Sequence, residues 1–207
     1  EDVDEPALLG AWVFEEVCRQ VVAWRPHLPP GFRVAVNLSA PEFLHPDLPE
    51  RIVDTLDRTG ARGSEIRLEI TEATVVTELD FVAERMDLLR AHGIEFSLDD
   101  FGTGYSSLSY LRRLPVNEVK IDRSYVSRFL RDPHDEAIVR AVLTLCRTLN
   151  LRVIAEGVET VEQLGALVAE GCTYFQGFWF GRPVAATDDP AGLLRSADTV
   201  APGPGDG

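Results

Sequence analysis

Long apolar runs are missing from this sequence. None approaches the roughly 18–20 residues needed to span a bilayer, and nothing near the start resembles a secretory signal. Cysteine is scarce: Cys18, Cys146 and Cys172 are odd in number and form no C-x-x-C pair. That favours reduced thiols over a disulfide framework. The four histidines (His27, His45, His92 and His134) are scattered with no H-E-x-x-H pattern, so a histidine-bound zinc site is not expected. Basic residues are outnumbered, with 20 Lys and Arg against 34 Asp and Glu, for a formal charge of −14. A chain this acidic has no basic stripe to neutralise phosphates, which argues against a nucleic-acid polymer as partner. A small phosphorylated ligand held through metal ions is still compatible with it. No Gly-rich dinucleotide turn follows an early strand. An initiator methionine is absent too, and a chain that starts "EDVDEPALL" reads as part of something longer.

What is present suits one soluble, well-cored domain: 207 residues, 45% hydrophobic and 26% charged. Helices are signalled by caps and period. From Pro6 to the Pro26 break, Leu9, Trp12, Val13, Val17, Val21 and Trp24 recur at helical spacing, with Trp12 and Trp24 expected in core or interface packing. Residues 48–59 end at Gly60 and residues 78–92 at Gly93. Asp132-Pro133 opens a helix to about Leu149, and Thr160 with Gln163 forms a capping-box pattern for one closing at Gly171. A short helix over residues 187–196 and a Pro/Gly-rich tail complete the chain.

Between the helices lie short apolar runs of strand length, each with a polar end. They are "RVAVN" to Asn37, "IRLE" to Glu69, "EFSLDD" to Asp99-Asp100, "NEVK" to Lys120, "LRVIAE" to Glu156 and "TYFQ" to Gln176. Buried-type strands alternating with helices indicate a parallel sheet, and the regular alternation favours a (β/α) TIM-type barrel, an α/β fold. In such a barrel the strand C-termini converge on the active-site face. Residues far apart in sequence then meet in one oxygen-rich cluster with a single lysine. Carboxylates with an amide carbonyl suit hard divalent cations such as Mg²⁺ or Mn²⁺. An adjacent Asp-Asp pair is able to bridge two such ions, roughly 3.5–4 Å apart in two-metal sites.

Several residues have a plainer alternative. Asn37 also fits a turn cap, Asp122 serves equally as a partner for Lys120 or as a ligand contact, and Glu159 reads equally as a solvated loop charge. Gly102 and Gly104 give the loop after Asp100 reach and mobility, with Ser106 as an alternative helix start. The aromatic run "YFQGFWF" at 174–180 is mainly a buried strand and its exit.

The motifs "NLS" at 37–39, "LEITE" at 68–72, "DDFGTGYSSLSYL" at 99–111, "VKID" at 119–122, "AEGVET" at 155–160 and "QGFWFGRP" at 176–183 occur in that order. Together they resemble the EAL-domain cyclic-di-GMP phosphodiesterases. The likeness covers about residues 7–184, with residues 1–186 as the domain's C-terminal three quarters and 187–207 as helix and tail. The resemblance implies that Asn37, Glu69, Asp99, Asp100 and Glu156 serve a two-metal Mg²⁺ or Mn²⁺ site. It implies that Lys120 orients the attacking water or stabilises charge, with Glu69 and Asp99 also in the catalytic group. It implies too that Gln176 and Asp122 contact substrate, that the aromatic face at 174–180 is open to guanine stacking, and that Glu72 braces the loop after Asp100, the segment that in the family couples dimerisation to the site. In such enzymes activated water attacks one phosphodiester of cyclic-di-GMP in line, giving the linear dinucleotide for bacterial second-messenger signalling. The resemblance further implies a homodimer and a sensory or cyclase domain upstream. It implies a cytoplasmic location, free or as the cytoplasmic part of a membrane-anchored protein.

One departure stands out. The chain contains no E-A-L, nor the arginine that follows that motif, so about six of the eight barrel strands and all but one metal ligand are expected here. An open barrel is expected to be less stable, or to associate through its edges. The alternative function is a catalytically silent cyclic-di-GMP-binding or protein-interaction module, and a more distant one is an unrelated two-metal phosphohydrolase.

Overall fold

A computed structural model describes residues 5–102 and 108–186 of the chain. Its centre is a six-stranded, all-parallel sheet whose strands follow chain order. They are β1 (Val34–Asn37), β2 (Ile66–Thr71), β3 (Glu95–Phe101), β4 (Glu118–Ile121), β5 (Arg152–Glu156) and β6 (Tyr174–Gln176). Sequential parallel strands joined by helical crossovers curl into a barrel wall, as expected from the sequence. Among the described residues β1 and β6 are the edges of that wall. The expected helix over 187–196, Gly104 and Ser106 lie outside the described residues.

Alternation along the strands sorts side chains to two faces. Ile66, Leu68 and Ile70 of β2, Phe96 and Leu98 of β3, and Val119 and Ile121 of β4 are buried against the helical layer. Phe43 meets Phe96 there edge to face, with centroids 6.3 Å apart. The opposite, inner face carries charge, because its positions are Arg67 and Glu69, Glu95 and Asp99, Glu118 and Lys120, and Arg152 and Glu156. The apolar core therefore lies outside the wall, and polar side chains that must find partners fill its inside.

The helices form where caps and apolar stripes coincide. They are α1 (Glu5–Trp24), α2 (Ala40–Leu44), α3 (Leu48–Thr59), α4 (Glu72–Thr77), α5 (Leu79–Arg90), α6 (Leu108–Leu111), α7 (Arg123–Arg128), α8 (Pro133–Thr148) and α9 (Val161–Ala169). In α3 Leu48, Ile52, Thr55 and Leu56 share the buried face, and Gly60 stops the helix at φ 74°, which costs glycine little. Asp132 caps α8 by accepting from the His134 amide at 2.8 Å. Thr160 and Gln163 form the expected capping box of α9. No described helix is long and apolar enough to cross a membrane.

Two readings are refined. The helix expected over 78–92 is present as α5, and a separate short helix, α4, precedes it; the break falls at Glu78, whose non-helical backbone (φ −148°, ψ 62°) ends one helix and starts the next. In α1 the buried stripe is Phe14, Cys18 and Val21, whereas Leu9, Trp12 and Val13 are exposed, Trp12 by 62%. The apolar stripe of α1 is wider than the strip that α2, α3 and β1 cover, so Trp12 lies outside the core, and of the two placements expected for it only an interface is left open.

Candidate active site

Lys120 is the hub of the inner face at the C-terminal ends of the strands. It projects from β4, is only 4% exposed, and its Nζ reaches three carboxylates from three other strands. The distances are 2.7 Å to Glu69 Oε2 of β2, 3.3 Å to Asp99 Oδ1 of β3 and 2.6 Å to Glu156 Oε1 of β5. One ammonium is thus shared among three anions. Burial works against its charge, but the bonds to Glu156 and Glu69 outweigh burial and hold its pKa above the ordinary lysine range. The carboxylates fare worse. Burial pushes the pKa of Glu69 and of Glu156 up, and the shared Lys120 offsets this only in part.

A local irregularity brings the second aspartate in. Neighbouring strand residues ordinarily point to opposite faces, so Asp99 and Asp100 in a regular strand would be split between core and interior. The β3–β4 register runs Leu98↔Val119 and then Phe101↔Ile121, which leaves Asp99 and Asp100 opposite the single residue Lys120. This is a β-bulge. Within it Asp100 adopts φ 54°, a left-handed conformation that aspartate tolerates better than most residues. As a result, carboxylate oxygens of Asp99, Asp100 and Glu156 lie within 4.8 Å of one another. Burial, and then the charges of Asp99 and Asp122, raise the Asp100 pKa. Four carboxylates set against one lysine are a strongly negative, oxygen-only donor set, which fits hard divalent cations.

The other expected site residues sit as follows. Asn37 ends β1 directly in register with Glu69, and Gln176 ends β6 in register with Glu156. Both are exposed. Asp122 accepts from the Ser124 amide at 3.0 Å and so caps α7. Glu72 opens α4 and is buried, with Oε2 accepting from the Gly102 amide at 3.0 Å and Oε1 accepting from the Tyr110 hydroxyl at 2.6 Å. β2, β3 and β4 each continue one or two residues beyond the polar group taken as their end, so Glu69, Asp100 and Lys120 project from within the wall.

Sequence reasoning missed three features. The first is a second ionic layer below the Lys120 cluster, in which Arg67 bonds Glu95 at 3.0 Å and Glu118 at 2.8 Å. Arg33 bonds Glu95 at 3.0 Å, Arg152 pairs with Glu95 and Glu118, and Ser97 donates to Glu118 at 3.1 Å. The signal was the period of two, since Arg67, Glu118 and Glu95 precede Glu69, Lys120 and Asp99 by two or four positions. The second is the pair Tyr110 and Tyr125, the latter donating to the Gly102 carbonyl. The third is the union of the loops after β5 and β6, where the Val158 amide donates to Gln176 O and the Trp179 amide to Val158 O, both at 3.0 Å. It fixes Glu156 and Gln176 side by side.

The EAL domain family matches this chain over residues 5–183. The chain belongs to the EAL domain family. Among relatives of this EAL domain, MucR of Pseudomonas aeruginosa is named a bifunctional diguanylate cyclase/cyclic di-GMP phosphodiesterase. It is 44% identical over 178 residues, which are 86% of this chain and 26% of MucR. The EAL domain described here therefore spans about a quarter of the length of that relative. The MucR phosphodiesterase in complex with c-di-GMP matches it with a TM-score of 0.83 over 86% of this chain and 72% of the other, at 44% identity. The EAL domain of Mycobacterium smegmatis DcpA matches with a TM-score of 0.84 at 34% identity, over 92% of this chain and 86% of that one. Klebsiella pneumoniae BlrP1, solved with manganese and cyclic di-GMP, matches with a TM-score of 0.78 at 30% identity. That match covers 88% of this chain and 46% of BlrP1, which was also solved with calcium and cyclic di-GMP. The TIM-type barrel class expected from the strand pattern is the class of these neighbours.

Proposed function

We propose that this chain hydrolyses cyclic-di-GMP to the linear dinucleotide with the help of divalent cations, Mg²⁺ or Mn²⁺. The observation that carries the reading is the convergence of Glu69, Asp99 and Glu156 on one lysine, with Asp100 turned in beside Asp99 and Glu156 by the bulge. Relatives named as cyclic-di-GMP phosphodiesterases, and a neighbour solved with manganese and cyclic di-GMP, support it.

Asp99, Asp100 and Glu156 would hold one cation, and Glu69 with the Asn37 side-chain carbonyl beside it a second. Such cations lower the pKa of a bound water and neutralise charge on the phosphoryl oxygens. Lys120 keeps the carboxylates gathered and presents a positive donor to the reacting phosphate. Gln176, beside Glu156, and Asp122, at the mouth of β4, are assigned to substrate contact. Glu72 acts at one remove by holding Gly102.

Incubation of the chain with cyclic-di-GMP and Mn²⁺, followed by chromatography, tests the reading. Linear product that vanishes with chelator and with Glu69→Ala or Lys120→Ala is the expected result. Tight cyclic-di-GMP binding in Mn²⁺ without any product would favour a binding module instead.

A further inference from the structure

The segment after Asp100 is gripped at one residue. Gly102 donates its amide to Glu72 Oε2 at 3.0 Å, and Glu72 is itself held by the Tyr110 hydroxyl at 2.6 Å. On its other side the Gly102 carbonyl accepts from the hydroxyl of Tyr125. Both peptide groups of Gly102 are thus tied to side chains from elements far away in sequence. The contact is also steric. Gly102 has φ 98°, and a Cβ built there would stand 3.3 Å from Cε2 of the Tyr125 ring.

Tyr125 reaches this point from α7, the helix that follows β4 and starts at its cap Asp122. Lys120 and Tyr125 therefore belong to one continuous stretch, β4 to α7, while Asp100 and Gly102 belong to β3 and its exit. The Tyr125 hydroxyl joins the two. Two residues before Gly102, Asp100 sits at φ 54° in the bulge, a conformation that persists only where the surroundings enforce it.

We propose that Tyr125 is a positioning residue for Asp100. Its hydroxyl fixes the Gly102 peptide, which holds the bulge in the form that turns the Asp100 carboxylate toward Asp99 and Glu156, and so tunes the affinity of the cation site containing Asp100. The inference rests on the cation reading given above. Tyr125→Phe is the informative variant because it keeps the ring against Gly102 and removes only the donor.

The test is a Mn²⁺ titration of the metal-free chain followed by the electron paramagnetic resonance signal of free Mn²⁺, in four proteins. They are the wild type, Tyr125→Phe, Asp100→Asn and the double variant. Two Mn²⁺ equivalents are expected for the wild type, and Tyr125→Phe is expected to weaken one of them by about tenfold or more, in the range of other outer-contact losses. In the Asp100→Asn background the same change is expected to have no further effect, because Tyr125 acts through Asp100. Equal Mn²⁺ binding by wild type and Tyr125→Phe overturns the inference and leaves the cation reading standing. So does an equal loss with and without Asp100, which would mark a general structural role. A wild type that binds no Mn²⁺ overturns the cation reading and this inference with it.

Discussion

Lys120 is a single amine in contact with three carboxylates at 2.6–3.3 Å, inside a wall where water has little access. Removing it leaves Glu69, Asp99 and Glu156 facing one another without a cation. Loss of one partner from a buried charged group costs about 3–5 kcal/mol, so Lys120→Met is expected to destabilise the metal-free chain by about that amount at pH 7. The sign of the pH dependence follows from the raised pKa values of Glu69 and Glu156. These groups bind protons more readily in the folded than in the unfolded chain. Stability of the variant should therefore fall as pH rises from about 4.5 through their folded values, and be partly recovered in mild acid. Urea denaturation of wild type and variant at pH 5 and pH 7 measures this, and an equal deficit at both would refute it. At this scale the sequence is most legible where a polar group interrupts an apolar run. Glu69, Asp99, Lys120 and Glu156 stand out because a charge inside such a run must have a partner. Tyr110 and Tyr125 do not, since one bonds a glutamate 38 residues away and the other a backbone carbonyl.

The strands and most helices were readable as elements, because caps, glycine stops and apolar runs are local signals. Leu48–Thr59 with its left-handed Gly60 and the box at Thr160 and Gln163 show this. The bulge was not readable, because it exists only in the pairing of β3 with β4. Two adjacent aspartates in a strand give no sign of whether they face one way or two. The same holds for the union of the loops after β5 and β6, which depends on close approach. A Cβ at Gly177 would lie 2.2 Å from Val158 O and 2.3 Å from Val158 N, so no side chain fits without moving backbone. Gly177→Ala is expected to part the two loops and cost about 1–3 kcal/mol, the usual range for overpacking. It should also cost activity by separating Gln176 from Glu156. An unchanged urea midpoint and unchanged turnover in this variant would show that the loops are not coupled.

Across the whole molecule the interior of the wall is stratified, with the Lys120 cluster above and the Arg67, Glu95 and Glu118 layer below. The lower layer carries three guanidinium groups, from Arg33, Arg67 and Arg152, against two glutamates. Its balance is therefore opposite to that of the upper layer. Burial alone would raise the Glu95 pKa, but its bonds from Arg67 and Arg152 outweigh this and hold it below the usual carboxylate range. Stability from Glu95 is thus fully present above its unfolded pKa, near 4.5, and is lost as pH falls through the lower folded value. Glu95→Gln should lower the melting temperature at neutral pH and flatten its decline as pH falls below about 4.5. Parallel melting curves for variant and wild type over that range would contradict the assignment. The barrel wall itself was legible from six apolar runs alternating with helices. Its charged floor was passed over because each strand was read as one apolar run with one polar end. An alternation in which every second residue faces inward was the available clue.

We propose that the bulge gathers Asp99, Asp100 and Glu156 into a divalent cation site. Crystals of the chain grown with Mn²⁺ and measured for anomalous scattering test it most directly. An anomalous peak bounded by carboxylate oxygens of these three residues is expected, with density lost there in Asp100→Asn. Mn²⁺ bound only elsewhere, or a peak at this place that survives Asp100→Asn unchanged, would contradict it.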